Sequence, residues 1–152
     1  MAIPKTISHT VQQTQEWLKE VESTAGLANE TEALSALRAV LHQLRDRLSV
    51  EEAAQFSAQL PLLVRGIFFE GWQPARVPDK SVKTRQDFLD GVTKRVRPHR
   101  LPPVPLVETV FAILSHHIDP GEISDIIGQL PDSLKTFPDY PDTSAVLPRS
   151  PD

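Results

Sequence analysis

An internal repeat does more than any other feature to limit what this chain can fold into. Displacing the 152-residue sequence by 70 positions sets Gln59-Leu60-Pro61 on Gln129-Leu130-Pro131, Val40 on Val110, Leu41 on Phe111, Leu44 on Leu114, Leu48 on Ile118 and Glu52 on Glu122. A displacement of 71 sets Gln15-Glu16-Trp17-Leu18 on Gln86-Asp87-Phe88-Leu89, and Val21 on Val92. An apolar pattern, a Gln and a Pro recurring together mark a duplication. Each copy is then a supersecondary unit that buries its apolar face against the other.

The period within each copy is helical. Leu34, Leu37, Val40, Leu41, Leu44 and Leu48 step by three or four apart from one adjacent pair, leaving Arg38, Gln43 and Arg45 for solvent. Val107, Val110, Phe111, Leu114 and Ile118 trace the same stripe, with Pro105 suited to a first helical turn. Ile7, Val11, Leu18 and Val21 lie near helical spacing beside Trp17, as do Val82, Phe88, Leu89, Val92 and Val96. Ser49 and Glu52 have the spacing of a capping box, and Asp119, Pro120 and Glu122 repeat it. Pro61 inside a helical pattern predicts a short helix over 50–59 and another over 61–69, with the same break before Pro131. At such a kink the repeated Gln59 and Gln129 are expected to be buried and to serve freed backbone groups. Gly71 reads as the left-handed residue that ends the fourth helix, with Trp72 folding back onto Ile67.

The predicted fold is all-α, a bundle of about eight helices built from two duplicated four-helix units related by a pseudo-two-fold axis. Residues 7–72 form repeat 1, 73–83 a linker, 84–137 repeat 2, and 138–152 a disordered Pro/Asp-rich tail.

The duplicated pattern resembles a family known as domain of unknown function 2267. The residues that carry the likeness are Ala36-Leu37-Arg38-Ala39-Val40-Leu41, Leu44-Arg45-Asp46-Arg47-Leu48, Glu51-Glu52-Ala53, Ala58-Gln59-Leu60-Pro61 and Arg65-Gly66-Ile67. Phe69-Glu70-Gly71-Trp72 with Pro74, Phe88-Leu89, Val92, Gly121-Glu122 and Gln129-Leu130-Pro131 complete it. The similarity covers about residues 10 to 137. It implies an all-helical, mostly bacterial cytosolic protein with no established activity.

Composition narrows the function classes. The sequence is 39% hydrophobic and 24% charged, enough apolar material for a core. With no cysteine there is no disulfide, thiolate metal site or Cys nucleophile. Residues 1–12 lack the basic start and apolar run of a secretory signal, and no apolar stretch approaches the length that crosses a bilayer, so a cytoplasmic location is expected. A Gly-rich phosphate loop, a nucleophile elbow and a His-Glu-x-x-His motif are all missing from the sequence, so no enzymatic activity is expected.

Four places invite a functional reading. Arg76, Lys80, Lys83, Arg85, Lys94, Arg95, Arg97 and Arg100 stand against only Asp79, Asp87 and Asp90, so that stretch carries a net +5 in a chain of net −4. It is a candidate surface for an anionic ligand. Nucleic acid is not favoured, because no aromatic residues interleave with the charges except Phe88, a core position. Phe69 and Trp72, with Phe68, form an aromatic knot around Gly71 that can anchor a partner protein or simply cap the core. His116 and His117 beside Asp119 and Glu122 suggest a metal. Adjacent helical residues diverge by about 100°, however, and imidazoles suit a helix C-terminus, so no metal or cofactor is expected. The function expected is a non-enzymatic helical protein-interaction or regulatory module, with anion binding through residues 76–100 as the alternative.

Overall fold

The computed structural model describes residues 2–132, and every regular element among them is helical. Seven α-helices follow in order: α1 (Lys5–Ala25), α2 (Glu30–Arg45), α3 (Val50–Ser57), α4 (Leu62–Phe69), α5 (Arg85–Arg95), α6 (Pro103–His117) and α7 (Pro120–Gln129). A single 3-10 turn, Pro74–Arg76, lies between α4 and α5. The helix expected after Pro131 and the tail expected over 138–152 lie outside the described residues. No described helix is long and apolar enough to cross a membrane.

Local chemistry sets the boundaries. Asn29 caps α2, its side chain accepting from Glu32 N at 2.9 Å. At α3 the capping box forms as its spacing predicts: Glu52 N donates to Ser49 Oγ at 3.2 Å, and Ser49 N donates to Glu52 Oε1 at 2.8 Å. A second box, unforeseen, starts α5, where Thr84 and Asp87 exchange the same pair of bonds. Its carboxylate also accepts from Lys83 N, and these backbone donors hold the Asp87 pKa below its ordinary 3.8. At α7, Asp119 occupies the N-cap position and Pro120 begins the helix, but the Asp119 side chain makes no capping bond. Pro103 and Pro105 fall in the first turn of α6, where backbone N–H groups have no helical partner to lose.

The break at Pro61 is real, and Gln59 does not service it. Gln59 and Gln129 are both exposed. Arg65 takes the role instead, reaching back one helix so that Nε donates to Ser57 O at 3.0 Å and Nη2 to Leu60 O at 3.3 Å. A long guanidinium offers five donors in a fixed fork and here reaches both carbonyls from α4, while Gln59 points to solvent.

The core is one continuous cluster that draws on both halves of the chain, from Trp17 and Val21 through Leu37, Leu41, Phe56 and Phe68 to Phe88, Val92, Val110, Ile113 and Leu130. The helix α2 runs through its centre, touching α1, α4, α5 and α6. From Ala39 to Arg45 every α2 residue is buried, so Gln43 and Arg45 do not face solvent as the stripe predicted. The helix α5 and the segment after α4 cover the face that would otherwise be wet. The helix α1 departs from its predicted stripe in the opposite direction. Thr10, Thr14, Trp17 and Val21 form its buried line, while Ile7 and Val11 stay exposed.

Candidate functional site

The first surface to consider is the one that the sequence assigned to the core. The N-terminal half of α1 buries Thr10 and Thr14 and leaves Ile7 and Val11, one turn apart, exposed, with Ile3 just before the helix. Thr10, between them, accepts from Leu63 N at 2.8 Å, a bond that satisfies one orphan donor of α4. This contact sets the first turn of α4 against α1, and Leu62 and Leu63 stand exposed there. Ile3, Ile7, Val11, Leu62 and Leu63 are between 40% and 54% exposed. They are five of the six exposed large apolar side chains among the described residues, the sixth being Val50 at the start of α3.

Phe69 and Trp72 are only half-buried and pack against the core. Rings run in series from Phe56 through Phe68 and Phe69 to Trp72, with centroids 5.5, 5.0 and 4.9 Å apart. Gly71 has φ +69°, the left-handed conformation predicted for it, and Trp72 N closes a turn onto Phe69 O at 3.1 Å. The indole Nε1 is buried with no hydrogen-bond partner among the described residues.

The basic stretch does not present one surface. Arg100 lies 3.7 Å from Glu32 at the start of α2, and Arg97 N donates to Ser35 Oγ at 2.7 Å. Arg95 reaches the other end of α2, donating to Gln43 Oε1 at 3.0 Å and to Asp46 Oδ2 at 2.8 Å. Glu32 and Asp46 are about 20 Å apart along a helix that rises 1.5 Å per residue. The charges are therefore strung along α2 rather than gathered. Arg97 also donates to the carbonyls of Lys94 and Val96. Lys83 and Arg85 have partners as well. Arg76, Lys80 and Lys94 make no ion pair among the described residues.

Two of the eight, Arg76 and Arg95, meet at a pocket of about 420 Å³, joined by Arg45, Asp46, Gln73 and Asp79. Arg45 is 3% exposed and fully engaged: Nε holds Asp46 Oδ1 at 2.8 Å, and Nη1 donates to the carbonyls of Phe68 at 3.0 Å and Glu70 at 2.6 Å. These bonds tie the end of α4 to α2. His42, one turn earlier, does the same through Ile67. Its Nε2 lies 2.6 Å from the Ile67 carbonyl, which can only accept, so the neutral ring donates there. Burial, which penalises the imidazolium, lowers the His42 pKa below 6.5.

At the far end of α6, His117 Nε2 lies 2.9 and 3.0 Å from the two carboxylate oxygens of Glu20 on α1, and His116 Nδ1 is 3.8 Å from Glu20 Oε1. Asp119 and Glu122, the acids suggested by proximity in sequence, do not join them. Glu20 is 97 residues away along the chain, and no local signal could have found it.

Among curated proteins, none matches the chain. Residues 14–137 match the family described as uncharacterized conserved protein DUF2267, which agrees with the resemblance carried by the repeated motifs. That span takes in every helix from the middle of α1 to the end of α7, and this chain belongs to the DUF2267 family.

Proposed function

We propose that the chain is a non-enzymatic helical module that binds another protein, and that Ile3, Ile7, Val11, Leu62 and Leu63 form its docking face. The observation that carries this reading is the exposure of those five side chains on two elements that touch through Thr10 and Leu63. Single exposed apolar residues are ordinary, whereas a contiguous group marks an interaction surface. Phe69 and Trp72 pack against the core and lie outside the proposed docking face. The test compares partners captured by the intact protein, by Leu63→Ser and by Trp72→Ala. Partners retained by Trp72→Ala and lost by Leu63→Ser are expected. Identical recovery by all three refutes the assignment.

A second reading, binding of a small anion, draws support from the pocket beside Arg76. It predicts phosphate binding that weakens as salt rises and disappears in Arg76→Ala.

We also propose that the helices descend from a duplication, α1–α3 corresponding to α5–α7. The packing supports this. Exchanging α1 with α5 and α2 with α6 turns the α1–α2 contact into α5–α6 and the α1–α6 contact into α5–α2, while α2–α6 and α3–α7 map onto themselves.

A further inference from the structure

We infer that Glu20, His116 and His117 form a binding site for a divalent transition-metal ion of the zinc class, clamping α1 to the end of α6. The three side chains each offer one ligand atom, and these atoms all lie within 4.8 Å of one another. Ligands held 2.0–2.1 Å from a tetrahedral zinc stand about 3.3 Å apart. The separations from the carboxylate to the two imidazoles, 2.9 and 3.8 Å, bracket that value.

Adjacent residues within a regular helix diverge too far to share an ion. Here His117 is the last residue of α6, and Ile118 is already extended (φ −110°, ψ 146°). Both histidines are within α6, yet their side chains converge, with ring centroids 4.9 Å apart and planes tilted by 51°.

The Glu20–His117 contact alone is a sufficient hydrogen-bonded pair and demands no metal. His116 is what points further. It is 62% exposed, yet its Nδ1 turns toward the same carboxylate oxygen that His117 uses. The array is also pre-organised. His117 stacks on Trp17, with centroids 4.9 Å apart and planes within 22° of parallel, and Trp17 is itself a buried core residue. Two imidazoles and one carboxylate select borderline ions such as zinc or copper over magnesium or calcium, which take oxygen ligands. Three protein ligands leave a fourth position for water or an exogenous donor. This inference is independent of the docking face.

Titration of the full chain with zinc chloride is expected to give one ion per chain, with a Kd of about 1 µM or tighter. His116→Ala, at an exposed position, and Glu20→Gln, which keeps shape and hydrogen-bonding capacity, are each expected to weaken it by about 10- to 100-fold or more. His9→Ala leaves it unchanged. In a Trp72→Phe background Trp17 is the one remaining indole, and copper chloride bound beside its stacking partner quenches its emission. That quenching disappears in His116→Ala. Absence of one-to-one zinc binding, undiminished affinity in both site variants, or emission indifferent to copper would each overturn the assignment.

Discussion

Replacing Gly91 with alanine tests how tightly α5 is set against α2. A Cβ added at Gly91 falls on the side-chain amide of Gln43. On an open surface that amide would swing aside at little cost, but here Gln43 is 5% exposed and its Oε1 accepts from Arg95. Displacing it releases one bond of a guanidinium whose other arm holds Asp46, which in turn holds Arg45. Alanine inside a helix gains roughly 0.5–1 kcal/mol over glycine. Forcing an extra methyl into a packed contact costs about 1–3 kcal/mol, and losing a hydrogen bond to a charged group costs about 1.5–3 kcal/mol. The net expectation is a loss of about 1.5–5.5 kcal/mol, seen as a Tm lower by roughly 2–4 °C for each kcal/mol in a domain of this size. Urea denaturation followed by circular dichroism measures it directly. Gln43→Ala removes the obstruction, so the double variant should be more stable than the sum of the two single effects by at least about 0.5 kcal/mol. Strict additivity, or a Gly91→Ala variant as stable as the parent, would refute the close approach of α5 and α2.

Two further outcomes follow from the polar groups around α2 and α4. Because burial disfavours the His42 imidazolium in the fold, the unfolded chain binds more protons below pH 6.5. Stability then declines as pH falls from 6.5 toward the lowered folded value, by up to about 1.4 kcal/mol per pH unit. Urea midpoints between pH 7.5 and 5.5 should slope accordingly, and His42→Gln should flatten that window. Arg65→Met strands the carbonyls of Ser57 and Leu60 and should cost about 1–3 kcal/mol, whereas Gln59→Ala, at an exposed side chain, should cost under about 0.5 kcal/mol.

What could be read from the sequence was whatever neighbouring residues decide among themselves. The period of α2 and α6, the Ser49–Glu52 box, the left-handed Gly71 and the break before Pro61 depend on residues at most a few positions apart, and each stands where its spacing predicted. What failed depends on how helices are set against one another. Gln43 and Arg45 read as solvent residues because nothing nearby says that α5 and the end of α4 will cover them. Ile7 and Val11 read as core because their spacing is apolar and helical, yet α1 turns the line of Thr10, Thr14, Trp17 and Val21 inward instead. The kink at Pro61 announced freed carbonyls but not their donor, which proved to be Arg65 rather than the more conspicuous Gln59. The same limit applies to the sites. The basic residues were countable in sequence, but their division between the two ends of α2 was not. His116 and His117 were visible, but their ligand-bearing neighbour Glu20 comes from the opposite half of the chain.

On the proposed duplication, the polar groups also distinguish the observed pairing of two similar units from the pairing of each with itself. The contact of α5 with α2 carries its cation on α5 and its anion on α2, as Arg95 and Asp46. The corresponding contact of α1 with α6 is reversed, with the anion Glu20 on α1 and the imidazoles His116 and His117 on α6. His116 and His117 stand 70 positions after Asp46 and Arg47, so these are equivalent ends of equivalent helices. Were the first unit to pair with a second copy of itself, α1 would pack on α2 and bring Glu20 toward both Arg47 and Asp46, the counterparts of His117 and His116. Were the second to do so, Arg95 would approach His116. The first self-pairing gives Glu20 one like and one opposite charge, and the second sets a guanidinium beside an imidazole, while the natural pairing gives Arg95 a carboxylate and Glu20 two imidazoles. The apolar stripes are nearly alike in the two units and cannot make that distinction. On this mapping the natural pairing is the one that brings no two carboxylates together at either contact, a source of specificity rather than of added attraction.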